Sequence, residues 1–316
     1  MAAIEKPLAG LSYPPRLRGG KIAPMPTAPY RPHIRIVQSR QNSRVKELRA
    51  GFARGNLGPE GRVSIEGLHL LEEAVRSGLR VIAIFVHTGS AALLEQVLDT
   101  LPLPPSVELL ELLPDIFAGA VATDSPQGIA ALVQAPSFSP EDVLRSRHGQ
   151  RTDAAPLVVA AAGLQDPGNL GTLIRSAEAF GATGLIALPG TVSRWNAKAL
   201  RASSGSAFRL PVVAATEAET LSLLRGRGVR IFAATVDGGT DAQRIALTGP
   251  VALLIGNEGA GLSQALVEQA DGCITIPCPG PVESLNAAVA GSVLLYEAAR
   301  QRGLRPTTSP HGQARQ

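Results

Sequence analysis

Apolar residues recur at helical spacing over some stretches of the chain and run unbroken over others. The first pattern predicts amphipathic helices and the second predicts buried strands. Arg44 to Arg49 reads as a short basic helix, and Val63 to Ile65 alternates as a strand. Leu70, Leu71, Ala74 and Val75 form one stripe of a helix over 67–77, with Gly78 as its stop. Val81 to Val86 is a buried strand, Ala91 to Leu101 a helix halted by Pro102, and Gly128 to Val133 a further strand. After a polar interval, Leu157 to Ala162 reads as a central parallel strand. Leu170, Leu173, Ile174, Ala177 and Phe180 then share one helical face, with Asn169 expected as N-cap and Gly181 just past the end. The pattern continues as a strand (185–188), a helix (217–224), two strands (230–234 and 251–255), a helix (262–270), a strand (274–276) and a last helix (284–302).

Strands alternating with helices predict an α/β fold with a parallel sheet, and the breaks divide the chain. Residues 1–33, rich in Pro and Arg and without periodicity, read as a disordered basic arm. A smaller α/β unit spans 34–136, a polar linker 137–155, and a second α/β domain 156–303, with a disordered tail over 304–316.

The 316 residues suit about two domains. Hydrophobic residues at 45% and charged residues at 18% fit a soluble globular protein. Aromatics are only 3%, which argues against a protein that grips nucleic acid mainly by stacking bases on rings. No apolar run approaches the roughly 18 residues of a membrane helix. The first 30 residues show no apolar stretch of a secretory signal, so a cytoplasmic location is expected. Two cysteines, Cys273 and Cys278, exclude a disulfide framework or a cysteine-built zinc cluster, and both are expected in the core. His33, His69, His87, His148 and His311 include no i, i+4 pair, so no metal site is expected. The formal charge of +4 is uneven: residues 1–60 hold eleven Lys/Arg and three acids, a net of +8. A basic end on a mildly acidic remainder suits a polyanion partner.

Three predicted strand ends carry unusual loops: Gly163 to Gly171, Gly256 to Ser263, and Pro277 to Asn286. Open parallel sheets bind ligands at the carboxyl ends of their strands. The loops offer backbone groups but no nucleophile elbow. The dinucleotide fingerprint G-x-G-x-x-G is absent, as is the phosphate loop G-x-x-x-x-G-K-[ST], so nicotinamide and ATP readings lose their support.

These loops carry a resemblance. NLGTLIRSAEAFG (169–181), LLIGNEGAGLS (253–263) and IPCPGPVESLNAAVAGSVLLYEAARQR (276–302) look like the three signature motifs of the SpoU/TrmH-type RNA ribose methyltransferases, of the knotted SPOUT superfamily. Order and spacing match over 157–303, and RASSGSAFRLPV (201–212) resembles the block between the first two motifs. NSRVKELR (42–49), EG (66–67) and SPQGIAALV (125–133) are similar to the family's N-terminal RNA substrate-binding domain. The chain departs from the family at Cys278, where Met is common, and at Pro279 and Pro281, which flank a loop usually less rigid.

The resemblance implies a C-terminal trefoil knot and transfer of a methyl group from S-adenosylmethionine to a ribose 2′-hydroxyl of structured RNA, rRNA before tRNA. It implies a cofactor pocket lined by Leu254, Gly256, Asn257, Gly261, Ile276, Pro277, Ser284, Leu285, Asn286 and Ala287. Arg175 and Asn169 are implied at the reacting hydroxyl, Arg175 as an electrostatic or orienting group because a guanidinium is rarely neutral. Glu258 is expected to orient Arg175 or Asn286 or to bind a cofactor hydroxyl, and Ser284 to cap the last helix. Arg40, Arg44, Lys46, Arg49, Arg201 and Ser203 are the expected RNA contacts. The last helix is apolar on more than one face, which agrees with the homodimer usual in the family. The alternative is a non-catalytic RNA-binding or ribosome-assembly module of the same fold. A base methyltransferase is a third reading.

Overall fold

The computed structural model describes residues 34–121, 123, 125–146 and 155–303. The expected arm (1–33) and tail (304–316) lie outside the described residues, as does most of the second half of the expected linker.

The first α/β unit contains β1 (Ile34–Val37), α1 (Ser43–Arg54), β2 (Arg62–Glu66), α2 (Leu68–Arg76), β3 (Val81–His87), α3 (Ala91–Thr100), β4 (Glu108–Leu112), α4 (Pro114–Ala118) and β5 (Ile129–Gln134). Its strands form one mixed sheet in the order β1-β4-β3-β5-β2. β5 runs antiparallel to both β2 and β3, while β3, β4 and β1 pair in parallel. Alternate side chains divide between two cores. Phe85, Leu110 and Leu132 meet α1 and α4 on one face, and Ile84, Leu109 and Ala131 meet α2 and α3 on the other.

The second unit contains β6 (Leu157–Ala161), α5 (Pro167–Ala179), β7 (Gly184–Ala187), α6 (Ala197–Ser203), α7 (Ser206–Arg209), β8 (Val212–Ala214), α8 (Glu217–Arg225), β9 (Arg230–Ala234), β10 (Thr240–Asp241), β11 (Val251–Ile255), α9 (Gln264–Glu268), β12 (Gly272–Thr275) and α10 (Ala287–Gln301). Seven strands lie in the order β10-β12-β9-β11-β6-β7-β8, and every pairing is parallel. β6 and β11 are central and buried along their whole length. That explains their unbroken apolar runs, since both sheet faces are covered. Val159, Leu253 and Ile255 face α5 and α10, while Val158, Ala252 and Leu254 face α8 and α9.

α5 and α6 pack closely, and Gly171 is the reason they can. A Cβ at Gly171 would run into the Ala199 carbonyl and the Ala202 side chain. Part of the expected linker is docked rather than loose. Pro140–Leu144 forms a 3-10 turn whose Val143 is fully buried against Gly184. Phe138 lies under the Arg194 guanidinium, which also stacks on Trp195 at 4.1 Å. Burial pushes the Arg194 guanidinium down to about 10, still cationic at neutral pH.

Four expected boundaries are corrected. Asp166, not Asn169, is the N-cap of α5, because its Oδ1 accepts from the Asn169 N–H at 2.9 Å while Pro167 fills the first turn. The last helix starts at Ala287, so Ser284 caps nothing. Asn286 is the cap, accepting from the N–H groups of Ala288 and Val289. The helix expected over 262–270 is a short turn, Gln264–Glu268, and the strand expected over 274–276 lies at Gly272–Thr275.

The far end of α10 is anchored through Arg302. Its guanidinium donates to the carbonyls of Leu247, Ala155, Pro156 and Gly249 at 2.6–3.2 Å. Those carbonyls precede β11 and β6, so the helix end is tied to the amino edge of the sheet. Arg302→Ala leaves these carbonyls without their shared donor and is expected to cost about 2–3 kcal/mol. The check is a fall in the denaturant midpoint with an unchanged slope.

Candidate functional site

The carboxyl ends of β9, β11 and β12 meet the start of α10 around a cavity of about 540 Å³. The second loop contributes Gly256, Asn257, Glu258 and Gly261 to its lining. The third contributes Ile276, Pro277, Ser284, Leu285 and Ala287. Asn286 sits between two lining residues but turns its side chain to the cap and to Asn169. Leu254 is a correction: it is fully buried and faces α8 and α9, because neighbouring residues on a strand point to opposite faces, and Ile255 takes the cavity side. Sequence reasoning missed Thr235, Val236 and Asp237, which follow β9, and Ala290 and Leu294 on α10. The first three follow a foreseen strand, and the strand order, with β9 hydrogen-bonded between β11 and β12, is what brings them to the cavity.

The second loop is tightly built. Asn257 and Gly261 exchange backbone hydrogen bonds at 3.1 and 3.0 Å. Asn257 Oδ1 accepts from the N–H groups of Gly259 and Ala260, and its Nδ2 donates to the Gly163 carbonyl at 2.7 Å. A Cβ at Gly256 would collide with the Gly261 and Leu262 backbone, so only glycine allows the loop to close on itself. Asn257 thereby links the second loop to the first.

The second link runs through two amides. Asn286 Oδ1 is committed to the backbone N–H groups of α10, which fixes the orientation of its amide. Its Nδ2 therefore points outward and donates to Asn169 Oδ1 at 3.1 Å. Asn169 Nδ2 in turn donates to Glu258 Oε1 at 2.6 Å. All three loops thus converge on one chain of hydrogen bonds. Glu258 holds Asn169 here, rather than either of its expected partners, Arg175 and Asn286. Asp166 supports the start of α5. Its carboxyl is held below 3.8 first by the hydrogen bond from Lys198 Nζ (2.7 Å) and then by the Asn169 backbone. This support is present above the unfolded value and is lost only as the pH falls through the lower folded value.

Arg175 is exposed on α5, outside the cavity lining, and has no hydrogen-bond or ion-pair partner among the described residues. Six residues of helix separate it from Asn169, about 9 Å along the axis. The expected core cysteines are corrected: Cys273 is half-buried, and Cys278 is exposed and lines the cavity.

Two expected RNA contacts are already engaged within the protein. Ser203 is fully buried, and its hydroxyl donates to the Leu200 carbonyl at 2.8 Å. Arg44 is committed to carboxylates, donating to Glu108 at 2.5 Å and to Glu47 at 3.0 Å, and Glu108 chiefly holds its pKa above the usual value. Arg40 is exposed but pairs with Asp115 at 3.2 Å. Lys46 and Arg49 are exposed on one face of α1 without a partner among the described residues, and Arg201 is exposed on α6. No group of three or more His, Cys, Asp or Glu that could hold a metal occurs among the described residues. No described helix is long and apolar enough to cross a membrane.

The amide chain makes a separable prediction. Asn286→Asp keeps the cap acceptor but turns a donor into an acceptor facing Asn169 Oδ1. Asn286→Ala loses both functions and costs about 1 kcal/mol of stability. Thermal unfolding is expected to separate the two, with Asn286→Asp close to the parent, while both lose the ordering of Asn169 seen in its side-chain amide NMR signals.

A family model described as SpoU rRNA Methylase matches residues 156–296, and one described as an MRM3-like substrate binding domain matches 42–131. The chain is 33% identical over 263 residues to the 23S rRNA (guanosine(2553)-2′-O)-methyltransferase RlmP of Bacillus subtilis, covering 83% of this chain and 98% of that one. Its fold is similar to the SpoU methyltransferase AviRb from Streptomyces viridochromogenes in complex with AdoMet, with a TM-score of 0.70, 28% identity, and 83% and 98% of the two chains covered. It is likewise similar to an AdoMet-bound rRNA methyltransferase from Sinorhizobium meliloti, with a TM-score of 0.69, 30% identity, and 84% and 98% covered. With its three loops joined by hydrogen bonds beside one cavity and this likeness running over most of its length, the chain belongs to the SpoU rRNA methylase family.

Proposed function

We propose that this protein transfers the methyl group of S-adenosylmethionine to a ribose 2′-hydroxyl of rRNA. The observation that carries this reading is the cavity and its neighbour, the Asn286–Asn169–Glu258 chain. The cavity suits the donor in chemical terms. Its volume of about 540 Å³ lies within the range of small-molecule sites. Ile255, Ile276 and Leu285 give a purine apolar walls, and the glycines expose backbone groups for its edge. The donor supplies an activated methyl on a cationic sulfur, and the residues of the chain do the rest.

Glu258 lines that space, and Asn169 is hydrogen-bonded to it where the first and second loops meet. Asn169 keeps one N–H, and Glu258 one carboxylate oxygen, free to hold an incoming hydroxyl. Arg175 is assigned to the RNA phosphate beside the target ribose and to the alkoxide that develops there, as a charge and not as a base. Lys46, Arg49 and Arg201 are assigned to the RNA backbone, which positions the substrate without reading its sequence. On this reading, 34–136 is the RNA substrate-binding domain and 156–303 the methyltransferase domain, in a cytoplasmic protein.

We also propose a homodimer through α10. Val289, Val293 and Tyr296 recur at i, i+4 and i+7 and are 47%, 39% and 48% exposed, an apolar stripe on a helix whose other faces are covered. α5 lies beside it, with Phe180 edge-on to Tyr296, so Arg175 on α5 would stand near the partner's cavity. Val293→Glu is expected to halve the mass seen by light scattering while the circular dichroism spectrum stays unchanged.

Incubating the protein with labelled donor and ribosomal RNA is expected to give alkali-resistant ribose methylation. A methyl group mapped to a base refutes the ribose assignment. No transfer despite donor binding favours the non-catalytic module. Arg175→Ala is expected to bind the donor with the parent's affinity and to lose transfer by about 100-fold or more. Equal loss of both overturns its assignment.

A further inference from the structure

We infer that the cavity separates the methyl donor from the spent product by charge, with Asp237 and Glu283 as specificity-determining residues. The inference rests on the methyl-donor reading above. Three carboxylates line the cavity, Asp237 after β9, Glu258 in the second loop and Glu283 in the third. No Lys, Arg or His lines it, and none of the three carboxylates has an ion-pair partner among the described residues. The hydrogen bond between Glu258 and the neutral Asn169 amide leaves its charge uncompensated. Ile255, Ile276 and Leu294 supply low-dielectric walls, and such walls focus the field of the charges around them.

The reaction gives this field something to act on. The sulfur–methyl bond breaks, an oxygen–methyl bond forms, and the hydroxyl proton passes to solvent water. The sulfonium thereby becomes a neutral thioether. Donor and product carry the same ammonium and carboxylate, so the donor is a net monocation and the product is net neutral. They otherwise differ by one methyl group, a small handle for a pocket that must take up one and let go of the other. A carboxylate some 6 Å from the sulfur favours the donor by roughly three- to tenfold, depending on the water between them. The product gains nothing from the same charge. The arrangement therefore biases exchange toward fresh donor after each transfer. Glu258 is tied into the amide chain, but Asp237 and Glu283 stand outside it and are both exposed, so their charge can be removed without disturbing Asn169.

The test is calorimetric titration of the full chain with three ligands at low and high salt. These are S-adenosylmethionine, sinefungin (which places an amine cation where the sulfonium stands) and the neutral S-adenosylhomocysteine. The Asp237→Asn, Glu283→Gln double variant is expected to weaken both cationic ligands by about tenfold and to leave the neutral one within about twofold. High salt should narrow the same ratio in the parent, and Asp237→Glu should keep the parent's ratio. If all three ligands weaken together, the carboxylates hold groups common to donor and product, and the inference is overturned. Unchanged ratios in the double variant overturn it equally. A folded parent that binds none of the three refutes the methyl-donor reading itself, and the inference with it.

Discussion

The first N–H groups of a helix have no partner within the helix, and in α10 a side chain must supply one. Asn286 does so, and that commitment orders the rest of the site. With its oxygen taken by Ala288 and Val289, only its amide nitrogen is free, and it meets the oxygen of Asn169. The Asn169 amide is then oriented in turn, nitrogen toward Glu258. A local capping requirement becomes a directional chain across three loops that lie far apart in sequence. An aspartate or serine at position 286 could cap the helix equally well, but neither could donate onward through an amide.

The chain can exist because of the sheet. All the strands of the second unit run the same way, so their following loops emerge at one edge. β9, β11 and β12 are immediate neighbours and bring the linings of the cavity together. The alternation along β11 decides which side chains take part: Ile255 turns toward α10 and the cavity, and Leu254 turns toward α9. α10 closes that face, tied by Arg302 at one end and by Asn286 at the other. A helix pinned at both ends gives the cavity a wall that does not depend on the ligand for its position.

Much of this was legible in the chain. The apolar runs at 157–162 and 251–255 are read as strands, which the sheet bears out, and glycine-rich loops at strand ends point to the site. What failed has physical causes. Leu254 is placed in the lining by the resemblance, but the alternation along β11 turns it to the face opposite Ile255. Asn169 stands just before the apolar face that begins at Leu170, where a cap is expected, whereas the helix starts earlier, behind Asp166 and Pro167. Ser203 and Arg44 are polar, but availability depends on burial and partners: Ser203 is buried with its hydroxyl on the Leu200 carbonyl one turn back, and Arg44 is taken by Glu108, distant in the chain. β1 and β10 are short edge strands with few buried side chains, so they leave little periodic signal. Asp237 follows a strand that was foreseen, and only the strand order shows that its end faces the cavity.

The seam between the two units bears on how the proposed reaction is aimed. Arg209 takes Glu178 in a two-point grip on its own side, at 2.7 and 3.0 Å, and reaches across to Glu73 of α2 at 2.6 Å. Glu73 is buried at this junction, where Gly205 leaves room for it. Its desolvation is offset by Arg209 together with Arg76, so loss of Arg209 would leave a buried carboxylate with only one cation. His69 adds a hydrogen bond to Ser204, the residue held at a φ of 49° where α6 ends. α6 also carries Lys198, which holds Asp166 and through it the start of α5. An RNA held on α1 of the first unit would thus be held at a set distance from Asn169, through side chains that are already paired in the free protein. Orientation fixed before the substrate arrives lowers the entropy lost in reaching the reactive geometry. On the proposed reading, a fixed spacing between backbone contacts and site would favour one ribose over its neighbours without a need for aromatic side chains to grip individual bases.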